Sequence, residues 1–282
     1  MLANLNDVLI PARKLGYAVG SFNVHNLETI QVVFDAATSL DLSVIIAFGE
    51  KVSHISDIQL IGKCVHTLAN RTQIPIVLHL DHCKSIDFIV KAIQAGFTSV
   101  MYDGSSLSVA ENIKNTSEVV RIAHAAGITV EAELGSIPAE DTGQVIVEDQ
   151  LTKPEEAKEF IEKTHCDALA IAVGTIHGDY IGEPKIYHHR LKEIAKAVSA
   201  PLVLHGGSGN TEKDLTLAIE EGITKININT EISNAAVQKI KELFQEDFSG
   251  HLSALSNKIR NPMLEVVKEK MNLFLCGRTI IK

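Results

Sequence analysis

Three of the twelve histidines, His82, His177 and His205, stand where metal chemistry is expected. Each ends an apolar, β-rich run or follows one closely, and each sits beside Asp or Gly: Asp81-His82, His177-Gly178 and His205-Gly206. A lone histidine is most often a hydrogen-bonded core or surface residue. Three neutral imidazoles with an open fourth position, by contrast, form the donor set of a catalytic zinc that polarises oxygen. His54, His66, His124 and the His188-His189 pair fall in helical or loop stretches and are read as ordinary residues.

Other polar residues cluster at the same kind of position. Asp103 and Glu133 end neighbouring runs, where they offer hard oxygen ligands to a second metal or orient the histidines by hydrogen bonds. The His205-Gly206-Gly207-Ser208-Gly209 turn and the Asn227-Ile228-Asn229-Thr230 segment end two later runs. Backbone N–H groups and a helix N-terminus there suit an anion such as phosphate.

The elements that must position these groups are repeated βα units. Eight apolar runs, at residues 18–24, 43–48, 75–82, 98–104, 129–135, 168–174, 201–207 and 225–230, alternate with stretches of helical periodicity. Runs without polar alternation suit strands buried on both faces. Eight of them with intervening helices predict a (β/α)8 TIM barrel, an open doubly wound sheet being the alternative. The polar residues decide for the barrel, because its strand ends share one mouth where distant residues converge. A single domain is expected over residues 1–282, with residues 232–282 as C-terminal helices. The polar loop at 136–154 reads as a lid.

A chain of 282 residues, 45% of them hydrophobic, can bury a full core. Its net charge of −9 gives no basic face for nucleic acid or an anionic membrane, so an anionic substrate needs a local pocket. The four scattered cysteines include no CxxC pair, and MLANLNDVLIPARKLGYA has no apolar signal-peptide core. A cytoplasmic location follows as the expectation. No apolar run approaches the roughly 20 residues of a spanning helix, which excludes a membrane role.

The segments SFNVHNLE, VLHLDHC, VEAELG, VGTIHG, LVLHGGSG and KININTE occur in this order. They resemble class II fructose- and tagatose-bisphosphate aldolases, from the first βα unit past the eighth run. The resemblance implies zinc-dependent, reversible aldol cleavage of a ketose (bis)phosphate into dihydroxyacetone phosphate and an aldehyde such as glyceraldehyde 3-phosphate. It implies His82, His177 and His205 as zinc ligands, and Asp81 as the acid/base at the hydroxyl of the breaking bond. Asp103 and Glu133 match positions of a second or displaced metal, the second-shell role being preferred. Gly178, Gly206, Gly207, Ser208, Asn227, Ile228, Asn229 and Thr230 match the dihydroxyacetone phosphate site, near which a monovalent cation, Na+ or K+, is implied.

This chain departs from the family in three places. It reads ELGSIPAEDTG where relatives carry a Gly-Gly before their loop acid, so Glu140 is taken as the second proton carrier and Asp141 as the alternative. An Asp-Pro-Arg element whose arginine reaches a neighbouring subunit is missing, leaving only Lys258 and Arg260 in that stretch. Asn229 replaces the Asp of some fructose-bisphosphate enzymes, which leaves the C4 preference open. Relatives are commonly homo-oligomers, dimers or tetramers. Two other readings are a barrel metal hydrolase and a non-catalytic sugar-phosphate-binding regulator.

Overall fold

The computed structural model describes residues 1–138, 146, 148–180, 182 and 184–280. Its nine parallel strands form one sheet: β1 (Leu2–Ala3), β2 (Val19–Asn23), β3 (Val44–Gly49), β4 (Ile76–Cys83), β5 (Ser99–Tyr102), β6 (Thr129–Leu134), β7 (Ala168–Ile171), β8 (Leu202–Leu204) and β9 (Ile223–Ile228). β2 to β9 close into the expected barrel through β4–β5 and β2–β9 pairing, with Val19 opposite Lys225 and Ser21 opposite Asn227. β1, which the sequence did not suggest, extends β4 at its lower end.

Among the described residues, ten α-helices accompany the strands: α1 (Leu5–Leu15), α2 (Leu27–Leu40), α3 (Ile58–Ala69), α4 (Ile86–Gln94), α5 (Val109–Ala125), α6 (Pro154–Thr164), α7 (His188–Ala197), α8 (Glu212–Glu220), α9 (Thr230–Gln245) and α10 (Leu252–Leu273). Several start on side-chain caps that satisfy otherwise unpaired N–H groups. Asn4, Asn26 and Ser108 form capping boxes, and Ser85 and Thr211 cap α4 and α8. α10 packs on α9 and α2 as the C-terminal extension.

Strand periodicity divides the core in two. Outward residues such as Phe22, Ile46, Leu78, Val130, Leu204 and Ile228 pack beneath the helices. Inward residues Val19, Ile45, Val77, Met101, Ala168, Ala170 and Val203 form a dry floor, sealed from below by Leu5, Val8, Leu9 and Ala12 of α1. Above this floor the inward positions become polar, and they carry the site.

Candidate active site

β4 delivers two adjacent functional residues to one place, which a regular strand cannot do because neighbours face opposite sides. Its register with β5 shifts between Leu80 and Cys83. His82 takes φ 48°, in the left-handed region that strains a residue bearing Cβ. With this bulge, Asp81 and His82 both line a cavity of about 470 Å³ at the C-terminal mouth.

Asp81 is nearly fully buried. Its Oδ2 accepts from Asn23 Nδ2 at 2.8 Å and its Oδ1 from Asn227 Nδ2 at 3.1 Å. Burial alone would raise its pKa, but electrostatic interaction with His82, His205 and Lys225 holds it well below the usual carboxylate range. The carboxylate is thus ionised and fixed, as an acceptor of a substrate proton must be.

His82, His177 and His205 converge from β4, the β7–α7 loop and the end of β8. One nitrogen of each lies within 4.8 Å of the others. The ring centroids are 4.4 Å apart for His82–His205 and 4.7 Å for His82–His177. Burial, then the neighbouring His82, His205 and Lys51, pushes His177 down to about 3. His205 is likewise lowered by burial and His82. Both rings are neutral, as ligands must be. Burial would lower His82 as well, but Asp81, Asp103 and Glu133 raise it to about 9.

The donor set fits a zinc ion. His177 Nε2 is buried without a hydrogen-bond partner, and so is Glu133 Oε2, orphan groups that otherwise cost about 1–3 kcal/mol each. Asp103 Oδ2 and Glu133 Oε2 lie 3.5 and 3.6 Å from His82 Nδ1, so these carboxylates form a second donor group with His82. Burial and Asp103 raise Glu133 to about 8. The site therefore holds protons that a cation would displace.

Beneath the histidines lies a buried ionic layer absent from the sequence reading. His205 Nε2 donates to Glu131 Oε1 at 2.8 Å, and its Nδ1 lies 3.3 Å from Nδ2 of Asn227, a residue that lines the cavity. Lys225 Nζ sits 2.7 Å from Glu131 Oε2, and all three side chains are fully buried. Burial would raise Glu131, yet Lys225 and His205 lower it to about 2. His79, bonded to Ser99 Oγ at 2.8 Å, completes the layer. The signal was present in VEAELG, where Glu131 and Glu133 are two apart and face one side, and in the lysine that opens KININT.

Across the mouth, Gly178 of the β7–α7 loop and Gly206, Ser208, Asn227, Asn229 and Thr230 at β8, β9 and the start of α9 line the cavity. Gly206 has φ 64°, and a Cβ there would lie 2.0 Å from the Ile176 carbonyl oxygen, so only glycine fits beneath the His177 loop. Two predicted positions play other parts. The Gly207 amide donates to Asn227 O at 3.1 Å, and Ile228 points outward into the core. Glu231 accepts from Gly209 N at 2.8 Å and pairs with Lys270 of α10 at 2.7 Å, tying the turn to the C-terminal helix. Glu140 and Asp141 lie outside the described residues. The expected lid is anchored where it leaves the barrel: Thr152 bridges Leu134 O and Ala172 N, at 2.6 and 2.9 Å. Arg260 pairs with Asp35 on α2, and neither it nor Lys258 lines the cavity.

The family model for class II fructose-bisphosphate aldolase matches residues 3–278. A fructose-bisphosphate aldolase of Staphylococcus aureus (strain Mu50 / ATCC 700699) is 38% identical over 271 residues, covering 95% of this chain and 94% of the relative. A sulfofructosephosphate aldolase of Alkalicoccus urumqiensis is 38% identical over 266 residues, 93% of each chain. Among solved structures, the YdjI aldolase from Escherichia coli K12 superposes with a TM-score of 0.88 at 36% identity, covering 97% of both chains. Motif order, barrel closure, converging histidines and these similarities agree: the chain belongs to the class II fructose-bisphosphate aldolase family.

Proposed function

We propose that this protein is a zinc-dependent lyase that reversibly cleaves the C3–C4 bond of a ketose phosphate, giving dihydroxyacetone phosphate and an aldehyde. The observation carrying this reading is that Asp81, the three histidines and the neutral cradle of Gly206, Ser208, Asn229 and Thr230 all face one cavity. His82, His177 and His205 would hold the zinc, which supplies Lewis acidity to the carbonyl beside the breaking bond.

Asp81 accepts the C4 hydroxyl proton as the C3–C4 electron pair withdraws toward the carbonyl, releasing the aldehyde. Asn23 and Asn227 fix both carboxylate oxygens during this transfer. The enediolate left behind takes a proton at C3, assigned to Glu140 with Asp141 as the alternative. The phosphate of the three-carbon fragment rests against Gly178, Gly206 and Ser208, near the N-terminus of α9, whose amides favour an anion.

Proton exchange from heavy water into dihydroxyacetone phosphate tests this half-reaction without knowledge of the aldehyde. Chelation should abolish exchange and zinc should restore it. Absence of exchange in folded, zinc-loaded protein would refute the reading in favour of binding without turnover.

A further inference from the structure

Two of the three histidines share a local design, each being followed by a glycine that lines the cavity: His177-Gly178 and His205-Gly206. The pairs come from different elements, the β7–α7 loop and the turn after β8. Their imidazole centroids stand 5.8 Å apart. The β7–β8 ladder stops at Ala170 and Val203, short of both pairs, so contacts other than strand pairing must set this spacing.

One oxygen spans the gap. The Tyr180 hydroxyl accepts from the Ile176 amide at 3.1 Å and donates to the Gly206 carbonyl at 3.3 Å. Ile176 directly precedes His177 and Gly206 directly follows His205, so a single phenol joins the backbones that carry two of the imidazoles. Asn210 Nδ2, 3.5 Å from the same hydroxyl, supports the turn by donating to Gly206 O at 2.8 Å and Gly207 O at 3.2 Å. The segments already touch here, because a Cβ on Gly206 would lie 2.0 Å from Ile176 O. Gly209 leaves room for the phenol, since a Cβ there would come within 3.1 Å of the ring. Asp179 Oδ1 accepts from Asn234 Nδ2 of α9 at 3.1 Å, which ties the residue before Tyr180 to the helix whose first turn lines the cavity. Tyr180 itself is not among the described residues that line the cavity, so its influence must pass through the two segments it joins.

We propose that Tyr180 is a positioning residue that sets the separation of His177 and His205 and, with it, that of Gly178 and Gly206. Metal affinity and phosphate binding then depend on one hydroxyl outside the cavity. This rests on the reading of His82, His177 and His205 as zinc ligands. Partners behind a metal site usually bond to the ligand ring, as Glu131 does to His205. Tyr180 works one step further back, on the peptides that bear the rings.

Tyr180→Phe removes the hydroxyl and keeps the ring. Zinc affinity, measured by competition with a chromophoric chelator, should fall about tenfold or more. The visible absorption of Co2+ bound in place of zinc should change, because it reports ligand geometry. In the dihydroxyacetone phosphate exchange assay at saturating zinc, KM should rise while kcat changes less. Tyr187→Phe is the control: it removes a hydroxyl that donates to Ile146 O at the far end of the same loop, and zinc affinity and the cobalt spectrum should stay as in the wild type. Wild-type affinity and spectrum in folded Tyr180→Phe overturn the assignment. Should that variant not fold, hydrogen exchange at the Ile176 amide of the wild type decides, since coupling is reciprocal and zinc loading should slow it. Exchange there that zinc leaves unchanged overturns the assignment as well. A wild-type protein that binds no zinc removes the ligand reading and this role together, whereas normal wild-type binding with no response in Tyr180→Phe removes the role alone.

Discussion

The floor and the mouth of this barrel are built on the same strands but governed by opposite physics. Val77 and Asp81 both point inward from β4, as do Val203 and His205 from β8, only one or two turns of the pleat apart. Below, interdigitated apolar side chains are sealed by α1 and hold their places by packing alone. Above, ionised groups are held against the cost of their own burial by partners such as Glu131 and Lys225. The difference teaches that folding and chemistry are separated by height in the barrel, with the Glu131 layer belonging to both.

The largest effect should come from the top. Asp81→Asn keeps the shape and removes the proposed base, so kcat should fall about a thousandfold while the melting temperature moves by a few degrees at most. A loss smaller than tenfold would place the proton acceptor elsewhere.

The intermediate layer should show both kinds of effect. Glu131→Gln leaves Lys225 charged and unpaired, a change expected to cost about 3–5 kcal/mol in urea unfolding and to weaken zinc binding through His205. Adding Lys225→Met should recover most of the stability without recovering the zinc affinity, and recovery of both would deny the layer its orienting role. Glu131 has a folded pKa lowered to about 2 from 4.5, so its contribution to stability is complete above 4.5 and disappears as pH falls toward 2. That acid-sensitive part should be missing from the double variant.

The smallest effect belongs to the floor. Ile45→Val should cost about 1 kcal/mol and leave kcat and KM unchanged. A catalytic defect from this methylene would break the division by height.

Much of this arrangement could be read from residue order. Strand ends marked by Asp, His and Gly were conspicuous because such residues interrupt apolar runs, and barrel closure then brings them together. Run boundaries were less legible: the stretch at 168–174 forms a strand only over Ala168–Ile171, since the backbone turns away to present His177. The left-handed backbone at His82 has no local signature, because no glycine marks it. Glu131, Lys225 and His79 escaped notice because, within a strand, a single polar residue looks the same whether it faces solvent or a buried partner. Only closure of the sheet shows that all three face inward. The strand Leu2–Ala3 is too short for any periodicity.

The helical plug beneath the barrel also fixes the order of events. With α1 stopping the lower end, reactants and products share one doorway. On the proposed reading the three-carbon phosphate would rest against Ser208, with the acceptor aldehyde toward the open mouth. The nucleophile must then arrive first and depart last, so steady-state kinetics should be sequential and ordered, with dihydroxyacetone phosphate as the product competitive with the ketose.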